Sequence, residues 1–373
     1  MAEEVQQEAL LKKHYYENCP GCKVKKLKES QTGPPIRELM LISFVVMCAA
    51  LPISSLFPFL YFMITDFHIA EREDDIRYYA GYVGCSFMFG RALTSVFWGI
   101  MADRYGRKPV IIMGTIAVVI FNTLFGLSVN FWMATAMRFL LGSLNGLLGP
   151  IKAYACEMFH EEYQALGIST VMIAWGIGLI IGPALGGYLA QPAEKFPSIF
   201  SEESVFGRFP YFLPCLTISL FASVVSIASC WLPETLHIHH ASSEFDESSS
   251  KKSLVCNWPL MPSIILYCVF SLHEIAYMEI FSLWAISPRQ YGGLSYTSED
   301  VGTVLSISGA GLLIFQTCLY PYLDSLLGPI VVARISGLPF YSHADRAKSL
   351  HRTELCISCA ECSVCEYALR PGL

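Results

Sequence analysis

The feature that most limits how this chain can fold is a succession of about eight apolar runs, each close to the roughly 20 residues that a helix needs to cross a bilayer. The runs cover residues 39–62, 78–101, 110–129 and 131–156, a fifth stretch between 162 and 191, and residues 211–232, 259–286 and 300–322. The chain is 54% apolar and 15% charged, with a mean hydropathy of +0.47, which is too hydrophobic for an ordinary soluble protein. The sequence therefore predicts an all-α membrane protein, a multi-span helical bundle.

Composition and charge divide this bundle into successive parts. Lys and Arg are retained on the cytosolic side of a membrane, so the basic first segment predicts a cytosolic N-terminus. The loop at 66–77 has no cationic excess and is expected on the opposite side, as is the loop at 191–209. The parts are a cytosolic segment with Cys-Pro-Gly-Cys (1–38), a six-span half (39–232), a cytosolic central loop (233–258), spans seven and eight (259–323), and an incomplete ninth run with a Cys-rich polar tail (324–373).

A short charged turn separates the second and third runs. Gly106 permits a backbone conformation with φ > 0, and the cations around it stay in water on the side that retains positive charge. The residues that form the pattern are Gly99, Asp103, Arg104, Gly106, Arg107 and Lys108. This G-x-x-x-D-R-x-G-R-K pattern resembles the signature loop of the major facilitator superfamily. The resemblance implies a lock in which the aspartate and the arginines hold two helical halves in one access state; the alternative is a solvated basic turn in an unrelated membrane protein.

Four ionisable residues and one amide inside the apolar runs form a second group of candidates. A buried charge in a membrane is costly, so it indicates a pathway for protons or substrate by default. The candidates are Arg138, Asn145, His273, Glu274 and Glu279. An arginine followed by small residues on the fourth span is similar to the superfamily pattern associated with proton coupling, whereas snorkelling of Arg138 to the non-cytosolic headgroups is the alternative. On one regular helix Glu274 and Glu279 are about 140° apart, so they cannot both point into one narrow cavity.

The fifth run is rich in glycine, while the third is uniformly apolar and is expected to face lipid. Small residues let helix backbones approach closely. The set Gly178, Gly182, Pro183, Gly186 and Gly187 resembles the fifth-span motif of superfamily antiporters. The family pattern has a further glycine where this chain has Ser169, which weakens the antiport inference without removing it.

Cysteines and histidines in the polar segments predict a weak cytosolic zinc patch. Thiolates and imidazoles suit Zn²⁺, although a redox-inert or regulatory cysteine pair is the alternative for the CxxC. The ligands are Cys19, Cys22, His237, His239 and His240. In the tail, an iron–sulfur interpretation competes with an alternative chain end for Cys356, Cys359, Cys362 and Cys365. CPGC before span one together with PETLH after span six resembles the plant zinc-induced facilitator-like family.

That resemblance implies proton-coupled secondary transport, by antiport, of a small solute linked to zinc or a metal chelator, potassium or an organic anion. The vacuolar or plasma membrane is the expected location, and the implied partners are the lipid bilayer, protons, the solute or ion, and zinc at the weak patch. Ionisable groups in spans seven and eight are costly if they face lipid, so another protein surface should shield them. This predicts a homo-oligomer or association with a full-length carrier. The competing hypothesis is a truncated, non-transporting isoform that regulates such a carrier. No nucleophile–base pair or nucleotide loop is present, so the sequence predicts no enzyme, no cofactor and no nucleic-acid partner.

Overall fold

The computed structural model describes residues 19–30, 33, 35–70, 72–236, 260–315, 318 and 326. Regular structure in this part of the chain is helical, without a strand, which confirms the predicted all-α class. The α-helices are Pro20–Ser30, Ile36–Ser54, Phe57–Asp66, Glu73–Tyr105, Arg107–Ala117, Thr123–Gly126, Phe131–Leu144, Leu148–Met158, Glu161–Leu189, Pro192–Lys195, Val205–Arg208, Phe212–Ser229, Leu260–Ile286 and Ser298–Ile314. A π-helical turn covers Val118–Asn122, and a 3₁₀ turn covers Arg289–Tyr291.

Helices lie over each of the predicted runs, and we number these spans one to eight in chain order. Within the described residues, 5 helices are long and apolar enough to cross a membrane: Ile36–Ser54, Asp75–Tyr105, Arg107–Gly126, Leu166–Leu189 and Phe212–Ser229. Ile275–Ile286, in span seven, is a shorter apolar helix. The chain is therefore a multi-pass membrane protein.

Spans one and four are interrupted. Span one ends its first helix at Ser54 and restarts at Phe57, because Pro52 and Pro58 cannot donate backbone hydrogen bonds. Span four is interrupted at positions 145–147, where Asn145 and Gly146 weaken the helix. Each break frees backbone carbonyls inside the bundle, so polar side chains find acceptors there.

The expectation that span three faces lipid is wrong. Of its most apolar stretch, 50% is buried inside the protein. Its π-helical turn presents Asn122, whose side-chain amide donates to the carbonyl of Cys215 at 2.9 Å and to Ser219 Oγ at 3.4 Å in span six. A buried amide that is bonded in this way holds spans three and six in one register.

Glycines allow spans two and four to cross at backbone distance. A Cβ at Gly142 would collide with the carbonyl of Phe87, and one at Gly90 would collide with the carbonyl of Phe139. Beside the break in span four, Trp98 Nε1 and Thr94 Oγ1 each donate to the Ser143 carbonyl at 2.7 Å. The central core lies next to this crossing and joins the first six spans to spans seven and eight.

Candidate functional site

Arg138 is buried in the middle of the bundle, with 2% of its surface exposed. Its Nη1 donates to the carbonyl of Pro52 at 2.9 Å, an acceptor in the last turn of the broken span-one helix. The guanidinium lies 5.2 Å from the ring centre of Phe87 and 5.1 Å from that of Phe125, where the ring faces attract a cation. Its Nε has no hydrogen-bond partner within the described residues. The charge is therefore held in place but only partly satisfied.

Glu279 brings the opposite charge to this arginine from span seven. Its carboxylate is not in ion-pair contact with the Arg138 guanidinium in the described structure, but the two opposite charges are near enough to attract each other. The carboxylate rests on the backbone of span two at Gly84, where a Cβ would collide with it. Arg138 and Glu279 both lie about 10 Å along their helices from the end predicted to be non-cytosolic. The pair thus joins the six-span half to the part of the chain that follows it.

The other pathway candidates are not gathered around this pair. Asn145 lies at the break in span four; its side chain is buried, and its Oδ1 has no hydrogen-bond partner in the part of the chain that the structure describes. His273 and Glu274 lie on the helix Leu260–Ile286, but their side chains are outside the described structure. The role of these three residues in a pathway stays a prediction.

The charged turn after span two surrounds the carboxylate of Glu234, a residue far from this turn in the sequence. Gly106 has φ 108°, a conformation that favours glycine, and a Cβ there would lie 2.5 Å from Glu234 Oε2. Glu234 accepts from the backbone N–H groups of Arg107 at 3.1 Å and Lys108 at 3.2 Å, the first two residues of span three. A carboxylate at this position satisfies unpaired N–H groups and complements the helix dipole. The PETL segment after span six therefore caps span three.

Arg107 is the second centre of this turn. Its guanidinium binds Glu157 at the end of span four in a bidentate pair, at 2.9 and 2.6 Å, and lies 3.1 Å from Asp103 Oδ1. Thr235 Oγ1 also donates to Glu157, at 2.7 Å. Partial burial raises the pKa of Glu157, but the hydrogen bonds from Arg107 and Thr235 outweigh it and hold the pKa below its ordinary value. We call Gly106, Arg107, Glu157, Glu234 and Thr235 the cytosolic clasp.

Three further residues of the predicted lock have separate surroundings. Lys108 Nζ donates to the carbonyl of Cys230 at 2.7 Å, at the end of span six. The Arg104 guanidinium lies 5.8 Å from the ring centre of Tyr105. A Cβ at Gly99 would meet nothing within 4 Å among the described residues, so packing does not explain this glycine. The contacts of the turn described above join spans two, three, four and six, and its lock between two halves stays a prediction.

The CPGC segment lies against the same clasp. Cys19 and Cys22 are 3% and 5% exposed, and the Gly21 N–H donates to the Leu236 carbonyl at 3.0 Å. Burial lowers the pKa of Lys28 on the same short helix, and the neighbouring Glu157 carboxylate acts in the opposite direction. The helix Pro20–Ser30 is thus fastened to the PETL segment.

The metal prediction remains untested by this arrangement. The hydrogen bond from Gly21 to Leu236 places the two cysteines near residue 236, which directly precedes the predicted histidine ligands in the sequence. The predicted ligands His237, His239 and His240 lie outside the described residues. Within the described part, no group of three or more His, Cys, Asp or Glu side chains is arranged to hold a metal ion. The four tail cysteines also lie outside it.

The antiporter-like glycines line two faces of span five. Gly178 packs on Ala50 of span one, where a Cβ would lie 2.5 Å from that side chain. Cβ atoms at Gly182 and Gly186 would collide with Ser54 and with the Ser55 carbonyl. Gly187 faces span eight instead. Pro183 lies inside the helix Glu161–Leu189, and its carbonyl is on the span-eight side, 2.6 Å from a Cβ built on Gly302.

The clasp makes a direct prediction for Glu234. Replacing Glu234 by Ala removes the cap on span three and should destabilise the chain by about 1–2 kcal/mol, as loss of a helix cap does. It should also loosen the CPGC helix, so trypsin should cleave faster at Lys23, Lys25 and Lys26. Thermal unfolding in detergent and timed proteolysis measure the two effects. Glu203→Ala, in an exposed loop, is the control, and equal behaviour of the two variants contradicts the clasp.

Sequence reasoning did not identify Glu157 as a partner of Arg107, or Glu234 as the cap of span three. Both belong to polar turns that the sequence shows, and their acidic character opposite a basic turn was the available signal. Their pairing needs the fold, because Glu234 lies 127 residues from Arg107.

Comparison with known proteins agrees with this architecture. The profile of the Major Facilitator Superfamily matches residues 42–341. Protein ZINC INDUCED FACILITATOR-LIKE 1 of Arabidopsis thaliana is 62% identical over 354 residues, covering 90% of this chain and 74% of that protein. Protein ZINC INDUCED FACILITATOR 1 from the same plant is 58% identical over 361 residues, with 90% and 74% covered.

Solved structures show the same fold at low sequence identity. The crystal structure of the D-xylose-proton symporter superposes with a TM-score of 0.63 at 12% identity, covering 88% of this chain and 80% of that one. The human organic anion transporter MFSD10 (TETRAN) gives a TM-score of 0.60 at 15% identity, with 89% and 84% covered. These likenesses confirm the predicted helical architecture.

Proposed function

Because this chain belongs to the zinc-induced facilitator-like family of the major facilitator superfamily, and is thus a membrane transporter, we propose that it exchanges protons for a small solute. The solute is linked to zinc or a metal chelator, potassium or an organic anion, and the membrane is the vacuolar or plasma membrane of a plant cell. The zinc patch at Cys19, Cys22, His237, His239 and His240 belongs to the same proposal, as a cytosolic acquisition site separate from the transport pathway.

The observation that carries this proposal is the Arg138–Glu279 pair. Arg138 belongs to the six-span half and Glu279 to span seven, so their attraction acts between the two parts that rock in a facilitator. Protonation of Glu279 neutralises the carboxylate and removes that attraction. A proton therefore changes the relative free energies of two arrangements of the bundle, which is the requirement for coupling proton movement to a conformational change.

The contacts of spans seven and eight favour one arrangement. Span seven reaches span two at Glu279, in the half of the helix nearer the non-cytosolic end. Towards the cytosolic end, its described side chains Ile265 and Leu272 are 57% and 70% exposed. This distribution supports a bundle closed on the non-cytosolic side, from which Glu279 exchanges its proton with the cytosol.

The proposal is tested in proteoliposomes that contain the purified chain. A pH gradient, acid inside, should accelerate the uptake of at least one of radiolabelled rubidium as a potassium tracer, zinc and citrate. A protonophore should remove the acceleration, and protein-free liposomes provide the background. Uptake that ignores the gradient contradicts proton coupling.

A second candidate function is regulation of a full-length carrier by a non-transporting chain. Exposed apolar side chains on span seven favour it, because a second copy or a carrier would cover them as lipid does. The purified chain is then expected to be an oligomer that moves none of the three tracers and changes the rate of a co-reconstituted full-length carrier. Tracer uptake by the chain alone decides for transport.

A further inference from the structure

The ends of spans five and eight meet at backbone distance on the predicted non-cytosolic side. A Cβ at Gly187 would lie 2.6 Å from the Ser298 carbonyl and 3.0 Å from the Cα of Gly302. Next to this crossing, the Tyr188 hydroxyl lies 3.0 Å from Thr303 Oγ1. Span five belongs to the six-span half and span eight does not, so this crossing joins the two parts that must separate when the outer side opens.

A turn after span five returns a lysine to this crossing. Gln191 adopts the left-handed conformation, φ 55° and ψ 54°, and its N–H donates to the Pro210 carbonyl at 2.8 Å. A non-glycine residue is strained in this region, so the fold around it maintains the turn. The short helix Pro192–Lys195 follows and directs Lys195 back to the end of span five.

Lys195 bridges the two helices. Its Nζ donates to the Gly187 carbonyl at 2.5 Å and to Ser298 Oγ at 3.0 Å, and lies 3.5 Å from Glu299 Oε1. The Gly187 carbonyl belongs to the last turn of span five, which attracts a cation. Glu299 lies in the first turn of span eight, where an anion is favoured.

The lysine is also partly withdrawn from water. Only 17% of its side chain is exposed, against 42% for Glu299. Burial lowers the pKa of Lys195 below its ordinary value, and Glu299 acts in the opposite direction. A partly buried cation with several acceptors contributes more than an exposed ion pair, whose effect solvent and salt reduce.

We propose that Lys195, Ser298 and Glu299 form a latch that holds the non-cytosolic side closed during the transport cycle, with Lys195 as the positioning residue. The latch rests on the proposed transport function, because rocking of the two parts must separate Gly187 from Ser298 at this end. Lysine suits a contact that breaks and re-forms, since its ammonium is compact and its stem is flexible. The latch acts on the access state and binds no solute.

Hydrogen–deuterium exchange of the full chain in lipid nanodiscs tests the latch. In Lys195→Met, amide exchange at 183–189 and 298–303 should rise about tenfold, as expected when hydrogen bonds to a charged group are lost. Exchange at the cytosolic end of span five, 161–168, should fall, because opening of one side closes the other. Lys195→Arg should restore most of both changes. Arg208→Met removes a cation from the same outer loop and should leave both segments as in the parent chain.

The reciprocal change distinguishes a latch from a structural contact. Faster exchange at the outer segments without slower exchange at 161–168 overturns the latch, as does an unchanged pattern in both. The exchange data are independent of tracer uptake. If the parent chain moves no tracer while Lys195→Met shows the reciprocal pattern, the latch stands and the proposed transport function fails. If the parent transports and the pattern is absent, the latch alone fails.

Discussion

Replacing Glu279 by Gln is expected to reduce gradient-driven uptake about a hundredfold, the scale of effect that loss of a positioned proton-transfer group produces. The neutral amide has the shape of the protonated carboxyl group but cannot release a proton. Exchange of labelled for unlabelled solute without a gradient should therefore continue, because it needs no net proton movement. Uptake and exchange in the same proteoliposomes measure both quantities.

The comparison variant for this experiment is Glu274→Gln. It removes the same charge from the same helix, Leu260–Ile286, at a position about 140° around it. We expect Glu279→Gln to lose gradient stimulation and Glu274→Gln to keep more of it, because the Glu279 carboxylate is the one attracted to Arg138. Full gradient stimulation in Glu279→Gln would show that the proton uses another group.

Arg138→Lys tests the other half of the pair. The guanidinium binds the Pro52 carbonyl and lies against two aromatic rings, a geometry that a lysine ammonium cannot reproduce. The variant keeps the charge, so its defect reports how the charge is positioned. We therefore expect it to impair coupling less than Glu279→Gln does.

Local sequence patterns predict the structure correctly where a single segment decides it. Pro52 and Pro58 account for the interruption of span one, and Gly106 predicted a turn with positive φ. Arg138 also stands out, because a charge in an apolar run is costly, and the structure buries it; its functional role stays a prediction. Each of these features is determined by residues that are close together in the chain, so the sequence alone is enough to predict it.

Features that depend on distant segments were not predictable in the same way. Apolar residues are spread around most of span three, so its hydrophobic pattern does not distinguish lipid from protein neighbours. Asn122 was the available signal, since a buried amide needs the partners that span six supplies. The nearness of Glu279 to Arg138 likewise follows from how span seven packs on span two at Gly84, which neither segment shows alone.

The glycine motif of span five had two explanations in the sequence, an antiport mechanism and close packing. The structure supplies the contacts for packing: Gly178 meets Ala50, and Gly182 and Gly186 meet the backbone or side chains where span one is broken. Close packing at a break is also where a helix can change direction during transport. A substitution that adds only a methyl group therefore tests whether the contact itself is required.

Gly186→Ala is expected to destabilise the chain by about 1–3 kcal/mol or to prevent its folding, because the added Cβ would collide with the Ser55 carbonyl. A backbone atom cannot move aside as the end of a flexible side chain does. Gly81→Ala is the matched control: Gly81 is also helical, and a Cβ there meets nothing within 4 Å among the described residues. Alanine favours helix more than glycine, so this control should unfold at the same temperature as the parent or slightly higher. Thermal unfolding in detergent compares the variants, and a Gly186→Ala protein as stable as Gly81→Ala would show that spans one and five do not need to approach so closely.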